Sequence, residues 1–458
     1  MLEKDLSKEP FFVNDASFYK SLFLLAIPIV LQNIITFGVI FADNLMVGRL
    51  GDDAISGLYM GTLLNTVLQI VVFGMESAAL ILSAQYWGRH DCERIKEVVS
   101  IGMRLTLGGT ALLALAVMLF PRSIIAFLTP HPGIIEAGAS YLQWVGISYL
   151  FFSMSEILIV AMRSVEIVRI GLINSMVAFV VNVLLNYLLI FGKCGLPALG
   201  VRGAALATVA SRVIEFSIVL YFVLKVDKNL RLRLGDFLRW NKEIFHDFVK
   251  YGTPVLLGQV VWAFNNVWQN WTIGHLDAAA STAASITGMF DRFLWMGTWG
   301  VAAATAILVG KAIGAEQFGR VKQMARTMQT IFFGIGLLSA LTVLCGCDSF
   351  LSFYELSPDA IAMARQFMMV LAVIIVGRCY QAPSLYGLVK AGGDTAFVFK
   401  NDSFWVFCWI IPISFLALHF HAAPWMVFAA LLSDQITKCF VAVVKINSYN
   451  WMRNLTRK

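Results

Sequence analysis

Apolar runs of about 20 residues or more follow one another almost from end to end of this 458-residue chain, and their recurrence restricts the possible folds more than any single motif does. At 1.5 Å rise per residue, each run is long enough for a helix to cross a hydrocarbon layer about 30 Å thick. About twelve are read, at approximately 18–42, 53–84, 96–120, 138–162, 168–192, 203–225, 246–272, 281–311, 322–346, 360–389, 396–418 and 424–447. Strands of a transmembrane barrel would be about half as long and would alternate apolar with polar residues, which these runs do not. With 59% hydrophobic and 14% charged residues and a mean hydropathy of +0.76, the chain is too apolar for a soluble domain. The expected class is an all-α, multi-pass membrane protein.

Lys and Arg concentrate at alternate connections, which sets an expected orientation. The amino terminus (Lys4, Lys8), the second connection (Arg89, Arg94, Lys96), the sixth (Lys225, Lys228, Arg231, Arg233, Arg239, Lys242, Lys250), the eighth (Lys311, Arg320, Lys322, Arg326) and the tail (Lys445, Arg453, Arg457, Lys458) are basic. Both termini are therefore expected in the cytoplasm, with the chain in the cell (inner) membrane. The net charge of +7 fits attraction to anionic lipid and gives no support to a nucleic-acid partner. The first twenty residues are polar and include acids, unlike a signal peptide, so the first span is expected to be retained. Cys345 and Cys347 are the only close cysteines, a weak signal for a disulfide or metal site, and the six histidines fall near span ends or in loops. No cofactor is expected.

A second constraint is an internal repeat. The stretch AIPIVLQNIITFGVIFADNLMVGRLG at 26–51 returns in altered form: Pro28 and Pro254, Asn44 and Asn270, Gly48 and Gly274, Gly74 and Gly300, Gly88 and Gly314, Arg94 and Arg320, Lys96 and Lys322 are each 226 residues apart. The halves are read as 1–225, a six-helix lobe, and 247–458, a second six-helix lobe. Between them lies a basic cytoplasmic linker at 226–246, with the spacing of an amphipathic surface helix carrying Leu230, Leu234, Phe237 and Leu238 on one side. Because each half holds an even number of spans, the repeats are parallel, as in transporters that rock two bundles about a central cavity. Gly88 and Gly314 suit helix ends, and Pro28 and Pro254, inside their helices, can kink them.

The copies differ at one informative place: Asp43 corresponds to Gln269, so the acid in this stretch belongs to one half only. A charged side chain deep in the membrane costs about 2.5 kcal/mol or more and is kept mainly where it faces a cavity or a partner. Asp43 is read as a carboxylate able to load and release a proton, against the alternative of a hydrated acid at a helix end near Gly48. Asn182 and Asn186 stand four apart on one helical face, so their amides can converge; interhelical hydrogen bonding is the commoner use of Asn in membranes, at about 0.6 kcal/mol each. Glu76, Glu156 and Asp291 also lie deep in predicted spans, as substrate counter-charges, proton-relay members or paired acids. Glu215 follows Arg212 by three residues, which fits an intrahelical ion pair. Trp262, Phe264, Trp268, Trp271, Trp295, Met296 and Trp299 crowd spans seven and eight, either facing a cavity where they can stack on organic cations or forming interfacial belts.

With Asp43 followed by LMVGRLG, the basic loop after span two, and LPALGVRGAALATVASR at 196–212, the chain resembles the multidrug and toxic compound extrusion (MATE) transporters over nearly its whole length. The resemblance implies two six-helix bundles forming a V, exporting organic, often cationic or amphipathic compounds against an inward flow of protons or sodium ions. It further implies an amino-terminal cation site of a span-one carboxylate, an Asn and an Asp four residues apart in span five, and a Thr in span six. Asp43, Asn182 and Thr208 match; at Asn186 the family pattern has Asp. No acid lies near Cys379 to Gln381, where one branch carries Asp, and Gln259 and Trp262 stand where that branch has Glu. The absence of these acids favours the amino-terminal lobe as the coupling site, and the Asn at 186 favours a proton over a weakly held sodium ion at Asp43.

The expected function is thus a cation-coupled secondary active exporter working by alternating access, a monomer with small organic substrates and lipid as its partners. Asp43, Asn182, Asn186 and Thr208 hold the ion, and Glu156, Asp291, Gln259, Trp262 and Glu76 are candidates to line the substrate cavity. A lipid or lipid-linked precursor flippase of a related two-lobe fold is the alternative, disfavoured because few Arg or Lys fall within the spans. An intramembrane enzyme lacks support, since no HExxH-type spacing or paired His appears.

Overall fold

The computed structural model describes residues 11–354 and 357–457, so Lys4, Lys8 and Lys458 lie outside the described residues. Among these the regular structure is helical: α1 (Ala16–Val47), α2 (Asp52–Gly88), α3 (Cys92–Leu119), α4 (Pro121–Leu128), α5 (Pro132–Ser164), α6 (Arg169–Phe191), α7 (Val201–Tyr221), α8 (Lys242–Gly274), α9 (Ala278–Gly314), α10 (Phe318–Leu351), α11 (Pro358–Pro383), α12 (Thr395–Trp405), α13 (Ile411–His419), α14 (Pro424–Leu432) and α15 (Asp434–Asn447). The wide turn Ser384–Val389 extends α11, and a similar turn, Val406–Ile410, joins α12 to α13 into one spanning segment. Eleven segments among the described residues are long and apolar enough to cross a membrane. Helix α8 is 33 residues long and matches α1 in the repeat, but its amides Gln259, Asn265, Asn266, Gln269 and Asn270 lower its hydropathy.

The repeat governs where helices begin. Helices α1 and α8 start at Ala16 and Lys242, α2 and α9 at Asp52 and Ala278, α3 and α10 at Cys92 and Phe318, α5 and α11 at Pro132 and Pro358, and α6 and α12 at Arg169 and Thr395, each pair 226 residues apart. The starts have local causes. Proline stands at the first position of both α5 and α11, where its missing N–H has no intrahelical partner to lose. Asp91 caps α3 through the Arg94 amide at 3.1 Å, and Asp277 caps α9 through the Ala280 amide at 2.7 Å. Helices α2 and α9 do end at Gly88 and Gly314, yet the left-handed residues that turn the chain come two positions later, at His90 (φ 60°) and Glu316 (φ 61°), again 226 apart.

By contact the chain forms two compact units: residues 31–256, and residues 11–30 with 257–457 among those described. These differ from the halves of the sequence, because α1 and α8 each contribute to both units and change membership two residues beyond Pro28 and Pro254. The repeat explains the exchange. A Cβ on Gly74 would lie 2.8 Å from Leu256, and Gly300 stands in the same way against Val30, so each glycine admits the proline-bearing helix of the other half. The core of the 31–256 unit gathers Val47, Leu58, Val72, Leu142, Val145 and Tyr149. That of the other unit gathers Ala283, Val343, Phe367, Leu371 and Phe428.

The linker departs from the expected surface helix. Between Asp227 and Asn241 only the short turn Leu234–Leu238 is helical, α8 beginning at Lys242, and Leu230 is buried while Leu234 and Leu238 are exposed. The cause is local: the Asp227 carboxylate accepts from the amides of Asn229, Leu230 and Arg231, and Asp236 reaches back to the Arg233 amide, so both acids fold tight turns in place of a helix. The strap is then tied to α3, where Ser100 Oγ lies 2.9 Å and 2.7 Å from the carbonyls of Phe237 and Arg239, and Arg239 pairs with Glu93.

Candidate functional site

Helix α6 carries a buried stripe, Ile170, Gly171, Asn174, Ser175, Ala178, Asn182, Asn186 and Ile190, at helical spacing. Three asparagines on such a stripe place strong hydrogen-bonding groups inside a helical bundle. Helix α7 comes close because Gly203 faces Leu189 and Ile190, where an added Cβ would lie 2.6 Å from the Leu189 carbonyl; five residues on, the register puts Thr208 level with the turn between Asn182 and Asn186. Asp43, near the end of α1, completes the group.

Asn186 Nδ2 donates to Asp43 Oδ1 at 2.5 Å and to Asn182 Oδ1 at 3.0 Å. Both asparagines are shut off from solvent, at 1% exposure for Asn182 and 0% for Asn186. The hydroxyl of Thr208 donates to the Ala204 carbonyl of its own helix, 3.0 Å away, which leaves only its lone pairs for a ligand. Asp43 has no ion pair among the described residues. Arg212 is near enough to act on it through space, but its guanidinium is engaged by Glu215 at 2.5 Å, the i,i+3 pair expected from their spacing. Asn186 Oδ1 and Asn182 Nδ2 are buried without a hydrogen-bond partner. An orphaned buried polar atom costs about 1–3 kcal/mol, so this constellation is incomplete as it stands.

Of the cavity candidates, Glu76 is paired with Arg163 at 2.8 Å, and Arg163 also donates to Gln32 at 2.9 Å, tying α1, α2 and α5 together. Asp291 pairs with Arg378, whose guanidinium lies over the Trp295 ring. Glu156 is buried within the 31–256 unit without a hydrogen bond or ion pair among the described residues. Gln259 is half-buried and Trp262 exposed on α8, in the other unit. Pro28 and Pro254 lie inside continuous helices.

Sequence reading missed a second polar group, in the 257–457 unit. Lys438 Nζ lies 3.0 Å from both Asp402 Oδ1 and Asp434 Oδ2, the Tyr386 hydroxyl donates to Asp402 Oδ2 at 2.7 Å, and Gln435 Nε2 donates to both Asp434 oxygens. The signal was available: Asp434 and Lys438, four apart, and Asp402 all stand in predicted apolar spans. Each of these carboxylate oxygens is already satisfied, so the cluster has the character of a brace.

A helical, multi-pass arrangement built on an internal repeat, with the half-buried carboxylate of Asp43 held among buried amides, is the setting in which the comparisons with known proteins place the chain among secondary transporters. The MatE family model matches residues 28–188 and 254–402, beginning at the two repeat prolines, and the chain belongs to this family of transporters. It is 22% identical over 429 residues to a probable multidrug resistance protein NorM of Neisseria meningitidis serogroup B, covering 92% of each chain. It is likewise 22% identical over 413 residues to a probable multidrug resistance protein YoeA of Bacillus subtilis, covering 88% of each. Its fold is that of the Vibrio cholerae MATE transporter VcmN in the bent form, with a TM-score of 0.85, 17% identity, and 94% and 97% of the two chains covered.

Proposed function

We propose that the chain is a proton-coupled secondary active exporter of organic, cationic or amphipathic compounds, with Asp43 as the carboxylate that carries the coupling ion. One observation supports this above the rest: Asp43 is held by the Asn186 amide without a basic partner, beside amide atoms that have no partner of their own. A half-buried carboxylate deep in a membrane span, with no basic partner, is costly while charged, and taking up a cation removes the cost. Asn186 favours a proton over sodium. A sodium ion needs several oxygens and compensating charge, whereas this site offers one carboxylate, one free amide oxygen and a hydroxyl already bonded to its own helix.

Occupancy of Asp43 that differs between two facings of the protein gives the ion and the substrate a shared coupling free energy, as exchange requires. Organic substrates are supported by the relatives' printed names as multidrug resistance proteins, and a cationic class by the exposed rings of Trp262, Phe264 and Trp271, whose faces attract organic cations by about 0.5–2 kcal/mol each. We place the protein in the cell membrane as a monomer with both termini in the cytoplasm. In cells expressing the chain, accumulation of a fluorescent cationic dye should fall, and the effect should vanish when a protonophore collapses the proton gradient and in Asp43→Asn. Dye exclusion that survives the protonophore but depends on external sodium would overturn the choice of ion.

A further inference from the structure

Within the 31–256 unit the buried acids and bases do not balance. Of the acids deep within helices α1 to α7, Glu76 pairs with Arg163 and Glu215 with Arg212, which leaves Asp43 and Glu156 as carboxylates without an ion pair among the described residues. Glu156 is 9% exposed and makes no hydrogen bond among the described residues, and the charges near enough to act on it are Glu76, Arg163, Glu215 and Arg212. From α3, which also packs on α5, Thr110 bonds Ser153 at 3.1 Å, while the Arg104 guanidinium is turned to the Phe237 carbonyl and the Trp240 ring.

Asn174, on the buried stripe of α6, stands at the same depth by two independent registers. Gly171 abuts Ile159, so one turn deeper along both helices brings Asn174 level with Glu156. The contacts of Gly203 with Leu189 and Ile190, and of Arg202 with Ser140, place both residues beside the same turn of α7. Asn174 is 0% exposed, and neither its Oδ1 nor its Nδ2 has a partner. A carboxylate can satisfy only the donor of such an amide. A neutral carboxylic acid satisfies both ends, its O–H donating to the amide oxygen while its carbonyl accepts from the amide nitrogen.

We propose that Glu156, matched by Asn174, is a second proton-loading carboxylate of the 31–256 unit, separate from Asp43 by about 18 Å along α6. The proton comes from water, no covalent bond other than the acid O–H forms or breaks, and the site takes a proton in preference to a metal cation because it presents one acid and one amide. The inference rests on the proton-coupled reading of Asp43 but is tested apart from it.

The test is infrared difference spectroscopy of the purified full chain titrated from alkaline to acidic pH, following the carbonyl band of protonated carboxyls. Glu156→Gln should remove one titrating band and keep the Asp43 band, whose presence also reports an intact fold. Asn174→Leu should shift the frequency of the Glu156 band and leave the Asp43 band in place. In proteoliposomes, protons moved per substrate exported should fall to about half in Glu156→Gln. A Glu156→Gln spectrum that matches wild type would overturn the proposal. Loss of the Glu156 band alongside an unchanged Asp43→Asn spectrum would uphold it while sinking the reading of Asp43.

Discussion

The two compact units descend from one repeat and yet use buried charge in opposite ways. In residues 31–256, Asp43 sits among amides with atoms left unpartnered. In residues 257–457, Asp402 and Asp434 share Lys438, and Tyr386 and Gln435 fill the remaining acceptor positions. The difference lies in completeness: a saturated cluster has nothing to gain from a ligand, whereas an unsaturated one does. Divergence at single positions is enough to create it, since the counterpart of Asp43 is Gln269. The position of the second copy that matches Asp43 carries no charge, and Asp402, Asp434 and Lys438 of that half form a closed brace elsewhere.

Removing Lys438 is the largest way to break this contrast. Lys438→Met leaves two buried carboxylates facing each other and should destabilise the protein by about 3–5 kcal/mol in thermal unfolding followed by tryptophan fluorescence. Converting the whole cluster, with Asp402→Asn and Asp434→Asn added, should recover most of that loss, because no unpaired charge remains. If Lys438→Met unfolds like wild type, the brace reading is wrong.

Asp43→Asn should do the reverse. Its expected effect is loss of gradient coupling, of the order of 5–150-fold in the dependence of substrate affinity on pH, with a melting temperature close to wild type. A next, smaller effect is expected at Asn186. Asn186→Ala removes the donor that stabilises the charged form of Asp43 and should tighten proton binding by about 1–3 kcal/mol, whereas Asn186→Asp supplies a second carboxylate and should bring sodium-dependent transport into view when sodium and proton gradients are imposed separately. The smallest effect belongs to Thr208→Val, since that hydroxyl already bonds its own helix; about 0.6 kcal/mol or less is expected in stability, with transport rates near wild type.

Much of the fold was legible in the chain because its signals are long and duplicated. The 226-residue offset seen in Pro28 and Pro254 reappears in the starts of five helix pairs, since proline, capping aspartates and apolar periodicity act locally in both copies. The convergence of Asn182 and Asn186 was legible for the same reason, as spacing of four places both on one face. What could not be read were pairings set by packing between helices. Nothing local in the sequence says that Glu76 meets Arg163, that Asp291 meets Arg378, or that Tyr386 reaches Asp402. The linker misled because its leucines have helical spacing, while Asp227 and Asp236 compete for the backbone and win.

The central claim is that Asp43 couples the ion to the substrate without itself being needed to bind the substrate. Purified protein in proteoliposomes separates the two, by comparing exchange of labelled organic cation at equal concentrations with its accumulation driven by an imposed proton gradient. The account expects Asp43→Asn to keep exchange near the wild-type rate and to lose driven accumulation. Accumulation by Asp43→Asn at the wild-type level would contradict it.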